Sequence, residues 1–186
     1  MRKFSLYAIV TLLAAVGFIY CSNSQSTQSD LQRIIIIRHG EKPDQGDNLS
    51  CQGLNRALQL PAVLNQKFGR PNAIFVPSLK MGKSTNAARM YQTIIPFAVK
   101  YNLDINTKYD VDDAQGVVEG IKKQQGTVLL VWEHKAAGKI LKALGLNEKE
   151  KWDDNDFDGI WIINYKNGSP VLTRDQENIH PSANCQ

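Results

Sequence analysis

The chain is 186 residues long and 42% hydrophobic, enough for one domain with a full core. Its formal charge is +4, and setting aside Arg2 and Lys3 at the extreme N-terminus leaves 20 basic residues against 18 acidic, or +2. That mild balance, with no basic run interleaved with aromatics, excludes nucleic acid as the partner and leaves any anion preference to a few placed arginines.

The first stretch, "MRKFSLYAIVTLLAAVGFIYC", has a basic start and an apolar run from Leu6 to Tyr20, shorter than the ~20 residues a membrane span needs. Residues 1–21 are therefore expected to be a signal peptide or N-terminal anchor, residues 22–32 a polar tether, and residues 33–186 the folded domain. The expected location is exported, periplasmic or envelope-anchored in a bacterium. Cys21 directly after the apolar run resembles a lipoprotein site, although bulky Tyr20 stands where such a site wants a small residue. Lipidation there would give a membrane tether; cleavage in the serine-rich stretch and an uncleaved anchor are the alternatives. Cys51 and Cys185 would then sit in an oxidising compartment, where a disulfide between them is open.

From the tether onward, strand and helix patterns alternate. Arg33 to Arg38, built on four consecutive isoleucines, reads as a strand buried on both faces. "SCQGLNRALQLPAVLNQKF" (50–68) reads as a helix that Pro61 should kink or limit, and "NAIFVPS" (72–78) as a second buried strand. "STNAARMYQTIIPFAVKY" (84–101) is a second helix with Ser84 or Thr85 as N-cap, and "INTKYDV" (105–111) an edge strand. A helix over 112–125 precedes the buried strand "TVLLVWEH" (127–134) and the helix "KAAGKILKALGL" (135–146). Residues 159–175 alternate around Asn167-Gly168, a two-residue hairpin signal. The order predicts an α/β fold: a three-layer α/β/α sandwich with a mostly parallel central sheet and a C-terminal hairpin.

Two of these strands run into histidine: the first into Arg38-His39, the later one into His134. If they are neighbours in a parallel sheet, both imidazoles lie at one edge, the edge where open α/β sheets bind ligands. Gly40 allows a tight turn there.

"RHGEKP" (38–43), "LSCQGLNRA" (49–57), "NAARMYQT" (86–93) and "VLLVWEHKAAGKIL" (128–141) stand in this order and together resemble the histidine phosphatase superfamily, the phosphoglycerate-mutase-like fold. The resemblance runs from about Arg33 to about Asn164. It implies phosphoryl transfer through a phosphohistidine, with His39 matching the nucleophile and Arg38, Arg89 and His134 matching the residues that hold the phosphate. The chemistry asks for such a set independently: in-line attack needs cations and donors already placed around the equatorial oxygens. Arginine suits this because its planar fork grips two oxygens at once. A neutral imidazole attacks near pH 7 without further activation. No metal or other cofactor is implied.

The proton donor for the leaving group is where the sequence departs from the family. Asp110, Asp112, Asp113 and Glu119 lie in the interval where many members keep a glutamate, but in no recognisable motif. Glu133 is the first candidate, although in a strict strand it would face away from His134. Glu41 is the second, and water serves if there is none. Lys135 stands where glycine is common after the histidine, and Met90 where a small residue is common after Arg89. Lys80 and Lys83 read as solvated loop lysines. "MGKST" is not a P-loop, because Pro77 occupies the position of its first glycine. His39, His134 and His180 lack the short paired spacing of zinc motifs.

The expected protein is an exported phosphatase acting on a small-molecule phosphorylated substrate or a phosphoprotein. The alternative is a non-catalytic envelope protein that binds an anion or a partner with the same pocket. The segment "KWDDNDF" (151–157) reads as a solvated loop near the mouth.

Overall fold

The computed structural model describes residues 31–79, 87–146 and 149–185. At its centre is β1 (Leu31–Arg38), and the isoleucine run explains itself there. Ile34 and Ile36 enter the core on one face of the sheet, Ile35 and Ile37 the core on the other, and none of the four is more than 1% exposed. Burying one such side chain is worth roughly 1.5–3 kcal/mol, so this strand is anchored from both sides.

The other strands are β2 (Ala73–Phe75), β3 (Ile105–Asn106), β4 (Gly126–Trp132), β5 (Gly159–Lys166) and β6 (Ser169–Gln176). They form one six-stranded sheet in the order β3-β2-β4-β1-β5-β6. The parallel expectation holds for β3, β2, β4 and β1; β5 pairs antiparallel with β1, and β6 with β5. The β5–β6 turn is the Asn167-Gly168 pair, with φ of 51° and 78°, the left-handed pair that a tight hairpin requires. The edge strand expected over 105–111 is only the two residues of β3.

Helices α1 (Cys51–Phe68) and α2 (Ala88–Tyr101) cover the face of Ile35 and Ile37, contributing Leu60, Leu64, Met90, Ile94 and Phe97. Helices α3 (Ala114–Ile121) and α4 (His134–Ala143) cover the other face through Val117, Val118, Ile140 and Leu141. The result is the three-layer sandwich. Ser50 caps α1, its Oγ accepting from Gly53 N at 3.1 Å, and the helix runs on through Pro61 rather than stopping there. The expected caps Ser84 and Thr85 lie outside the described residues, as does the N-terminal segment with Cys21.

One correction bears directly on the site. The strand expected to end in His134 stops at Trp132. Glu133 is the N-cap of α4 and His134 its first residue. Because β1 and β4 are parallel neighbours with Arg38 opposite Trp132, His39 and His134 still leave the sheet at the same edge. His39 N donates to the Trp132 carbonyl at 3.3 Å.

Candidate active site

His39 follows directly on β1 and is 3% exposed. Its Nδ1–H donates to the Gly40 carbonyl at 2.8 Å, which fixes the tautomer and leaves Nε2 with a free lone pair. Burial pushes its pKa down from 6.5 to about 4 against the pull of the Gly40 carbonyl, and the positive charges of Arg38, Arg89 and His134 push the same way. The ring is therefore neutral at pH 7, and those three residues lie close enough to act on it. Gly40 N donates to Thr93 Oγ1 at 2.9 Å, and Thr93 Oγ1 donates to the Arg89 carbonyl at 2.7 Å. The turn after the histidine is thus fastened to the helix that carries Arg89. A side chain at Gly40 would meet the Gly53 carbonyl of α1 at 2.9 Å, so the approach of the two backbones requires glycine here.

Arg38 is equally buried, at 3% exposed, and burial lowers its pKa against the opposing pull of Asp154 and Asp156. Its Nη1 donates to the carbonyls of Asp153, Asp154 and Asp156 at 3.3, 2.7 and 3.0 Å. Its guanidinium lies 3.8 Å from the centre of the Phe157 ring, a cation–π contact. The segment expected to be a solvated loop is therefore closed over the arginine. At its inner end the Trp152 indole donates to the Asp156 carbonyl at 2.9 Å and packs against Trp161.

His134 Nε2 donates to Asp154 Oδ1 at 2.8 Å. Its Nδ1 is buried without a hydrogen bond, 3.5 Å from Glu133 Oε1. Glu133 does not face away, because it caps a helix instead of continuing a strand, and its charge also reaches Arg38. Arg89, in the first turn of α2, uses Nη1 on the Gly46 carbonyl at 3.2 Å. Among the described residues five buried side-chain polar atoms lack a hydrogen-bond partner, and three of them are Arg38 Nε, Arg89 Nε and His134 Nδ1. Unsatisfied buried nitrogens are rare in folded proteins, and the Nε–H groups of Arg38 and Arg89, the two arginines whose charge acts on His39, are donors still open to acceptor oxygens.

Searches by sequence match no protein-family model and no curated protein. Solved structures do match. A chain assigned as the phosphohistidine phosphatase SixA of Agrobacterium tumefaciens is 18% identical over 73% of this chain and 93% of its own, with a TM-score of 0.53. A mutant phosphoserine phosphatase from Entamoeba histolytica in complex with phosphoserine is 13% identical over 78% and 96%, also at 0.53. The alpha-ribazole phosphatase of Shigella flexneri is 10% identical over 83% and 98%, at 0.52. The chain has the histidine phosphatase fold.

Within that fold Glu41, the second candidate acid, is committed elsewhere. Its carboxylate takes both Nε and Nη2 of Arg56, at 2.8–3.1 Å. Arg56, in α1, also donates to Asp158 Oδ1 at 3.0 Å, Glu177 Oε2 at 2.6 Å and the Ile179 carbonyl at 3.3 Å. Burial opposes this cation, but its hydrogen bonds to Glu41 and Glu177 and the charge of Glu177 raise its pKa overall. Glu177 is fully buried, and burial pushes its pKa up to about 8 despite Arg56. The cluster joins the turn after His39, helix α1, the start of β5 and the C-terminal segment. A disulfide between Cys51 and Cys185, with Cα atoms 4.7 Å apart, closes that segment onto α1.

The sequence singled out neither Asp154 nor Arg56. Arg56 sat in a quoted block without a role, since its carboxylate partners lie up to 121 residues away. For Asp154 the available signal was indirect: an aspartate-rich loop offers a carboxylate to a histidine that needs an orienting acceptor.

Proposed function

We propose that the protein is an exported phosphatase that hydrolyses a phosphate monoester through a phosphohistidine at His39. The observation that carries this reading is the neutral His39 with its lone pair on Nε2, beside His134 and the two arginines Arg38 and Arg89, whose Nε–H groups lack acceptors. Nε2 attacks phosphorus while the bond to the leaving oxygen breaks in line. Arg38, Arg89 and His134 take the charge of the equatorial oxygens. The leaving oxygen takes a proton from Glu133 or from water. Water then attacks phosphorus, the P–N bond breaks, and inorganic phosphate leaves a neutral imidazole. Of the carboxyls considered, Glu133 fits the donor role better than Glu41, because only Glu41 is tied to an arginine.

Export accords with the apolar N-terminal run and with the disulfide, which persists in an oxidising compartment. The domain division at residues 21 and 32 belongs to the same proposal. The deciding experiment is hydrolysis of an aryl phosphate, whose leaving group needs little protonation, beside His39→Ala. Turnover with an acid-labile phosphoenzyme, both lost in the variant, supports the reading. Well-folded protein that binds phosphate without turnover would favour the anion-binding alternative.

A further inference from the structure

Two clefts lie beside the candidate site, one lined by His134 and the other by Glu41 and Phe157, and they differ in the charge left unspent. The larger, about 560 Å³, is lined by Glu41, Arg56, Asp156, Phe157 and Asp158 among others. Its carboxylates are engaged: Glu41 and Asp158 hold Arg56, and Asp156 Oδ1 accepts from the backbone N–H groups of Asp158 and Gly159 at 2.9 and 2.8 Å. The smaller, about 340 Å³, starts at His134 and runs along α4 past Lys135, Lys139 and Lys151, with Glu150 and Asp154 also in its wall. Here the pairing is incomplete. Lys139 holds Asp112 at 2.8 Å, Glu150 holds Arg174, and Asp154 holds His134. Lys135 and Lys151 are exposed and form no ion pair among the described residues, although the charge of Lys135 is felt at Asp154.

The position of Lys135 is unfavourable for the helix itself. It is the second residue of α4, at the positive end of the macrodipole, with Glu133 at the N-cap as the one adjoining carboxylate of the helix. A cation there does not offset the helix N-terminus, and Lys135 and Lys151 are left as the unspent charges of a cleft that ends at His134. An anion is the ligand such a cleft receives.

We propose that the leaving group of the substrate lies in the α4 cleft and carries a second anionic group, a carboxylate or a further phosphate, held by Lys135 and Lys151. The inference rests on the phosphatase reading and narrows its substrate class: the ester oxygen belongs to a small molecule or side chain with another negative charge within reach of the cleft. The larger cleft, with its charges matched, takes no such group.

The test compares two aryl phosphates on the full chain, one bearing a para carboxylate and the other its uncharged methyl ester. The readout is the ratio of kcat/KM for the charged over the uncharged substrate. In the wild type the charged ester is expected to lead, and in Lys135→Gln/Lys151→Gln the ratio is expected to fall about tenfold, the scale of two partly exposed ion pairs. The wild-type ratio should also shrink as salt is added. Turnover of both esters with a ratio that the double substitution does not move overturns the subsite alone. Failure to turn over either ester overturns the phosphatase reading and the subsite with it. A single phosphate as second group, tested with a para-phosphorylated analogue, distinguishes a preference for phosphate from one for carboxylate.

Discussion

Asp154 Oδ1 accepts the Nε2–H of His134 at 2.8 Å, so a loop carboxylate that is itself 77% exposed occupies one ring nitrogen of a phosphate-binding candidate. The other nitrogen is buried. Hydrogen bonding lowers the pKa of Asp154, with the charges of His134, Lys135 and Arg38 acting the same way, so the group is an anion at neutral pH. An incoming phosphate meets this negative charge beside the imidazole it must approach. Asp154→Asn is expected to tighten inhibition by inorganic phosphate several-fold, by removing a like charge from the site. Measured inhibition constants in the aryl phosphate assay decide it. Weaker binding in the variant would mean that the loop carboxylate helps to hold His134 for the phosphate instead of displacing it.

Glu133 is the remaining carboxyl beside His134, and its role as acid predicts a dependence on the leaving group. An alkoxide needs a proton as it departs, whereas a nitrophenolate does not. Glu133→Gln is therefore expected to lower kcat on an alkyl phosphate by about 10²–10⁴-fold and on a nitrophenyl phosphate far less. Equal losses on both substrates would assign Glu133 a positioning role.

The strands were legible because burial on both faces leaves an unmistakable trace: Ile34 to Ile37 and Val128 to Trp132 are continuous apolar runs, and both lie in the middle of the sheet. Their adjacency stayed conditional in the sequence, because, among the described residues, three helices and two other strands lie between them in the chain, and the sheet order decides it. The boundary at His134 was not legible, since an apolar run followed by Glu-His reads equally as a strand end or a helix start, and in the fold Glu133 stands at the N-cap position of α4. The loop over Arg38 left no pattern at all. Its acceptors are backbone carbonyls, which every residue has, so the contact depends on chain path and not on side-chain identity. Arg56 does depend on side-chain identity, but its carboxylate partners converge from three separate segments, so chain path again decides the contact.

The buried neutral His39 has a signature in both rate and stability. With its pKa near 4 in the folded chain, the acid limb of kcat/KM should lie well below the 6.5 of an ordinary histidine. In stability the sign is equally fixed. The unfolded chain takes up the proton first, so as pH falls from 6.5 towards 4 the folded state loses up to about 3 kcal/mol, at ~1.4 kcal/mol per pH unit. His39→Gln removes the titrating group, and its denaturant stability relative to wild type should rise across that window. A difference that stays flat from pH 4 to 6.5 would place an ordinary, hydrated imidazole at residue 39.

Glu177 makes the opposite prediction. Its folded pKa, near 8, lies above the usual carboxyl value of 4.5, so at low pH both states are protonated and nothing is lost. As pH rises past 4.5 the unfolded chain ionises more readily than the buried carboxyl, so stability falls in that direction. A protonated carboxyl still offers its carbonyl oxygen to Arg56, and so does glutamine. Glu177→Gln should thus match wild type near pH 4 and gain on it as pH rises. Urea melts in non-reducing buffer, which keep the Cys51–Cys185 disulfide closed over the cluster, provide the measurement. If instead the variant is destabilised at every pH by a constant amount, Glu177 is a carboxylate whose charge Arg56 requires, and the protonated form has no part in the fold.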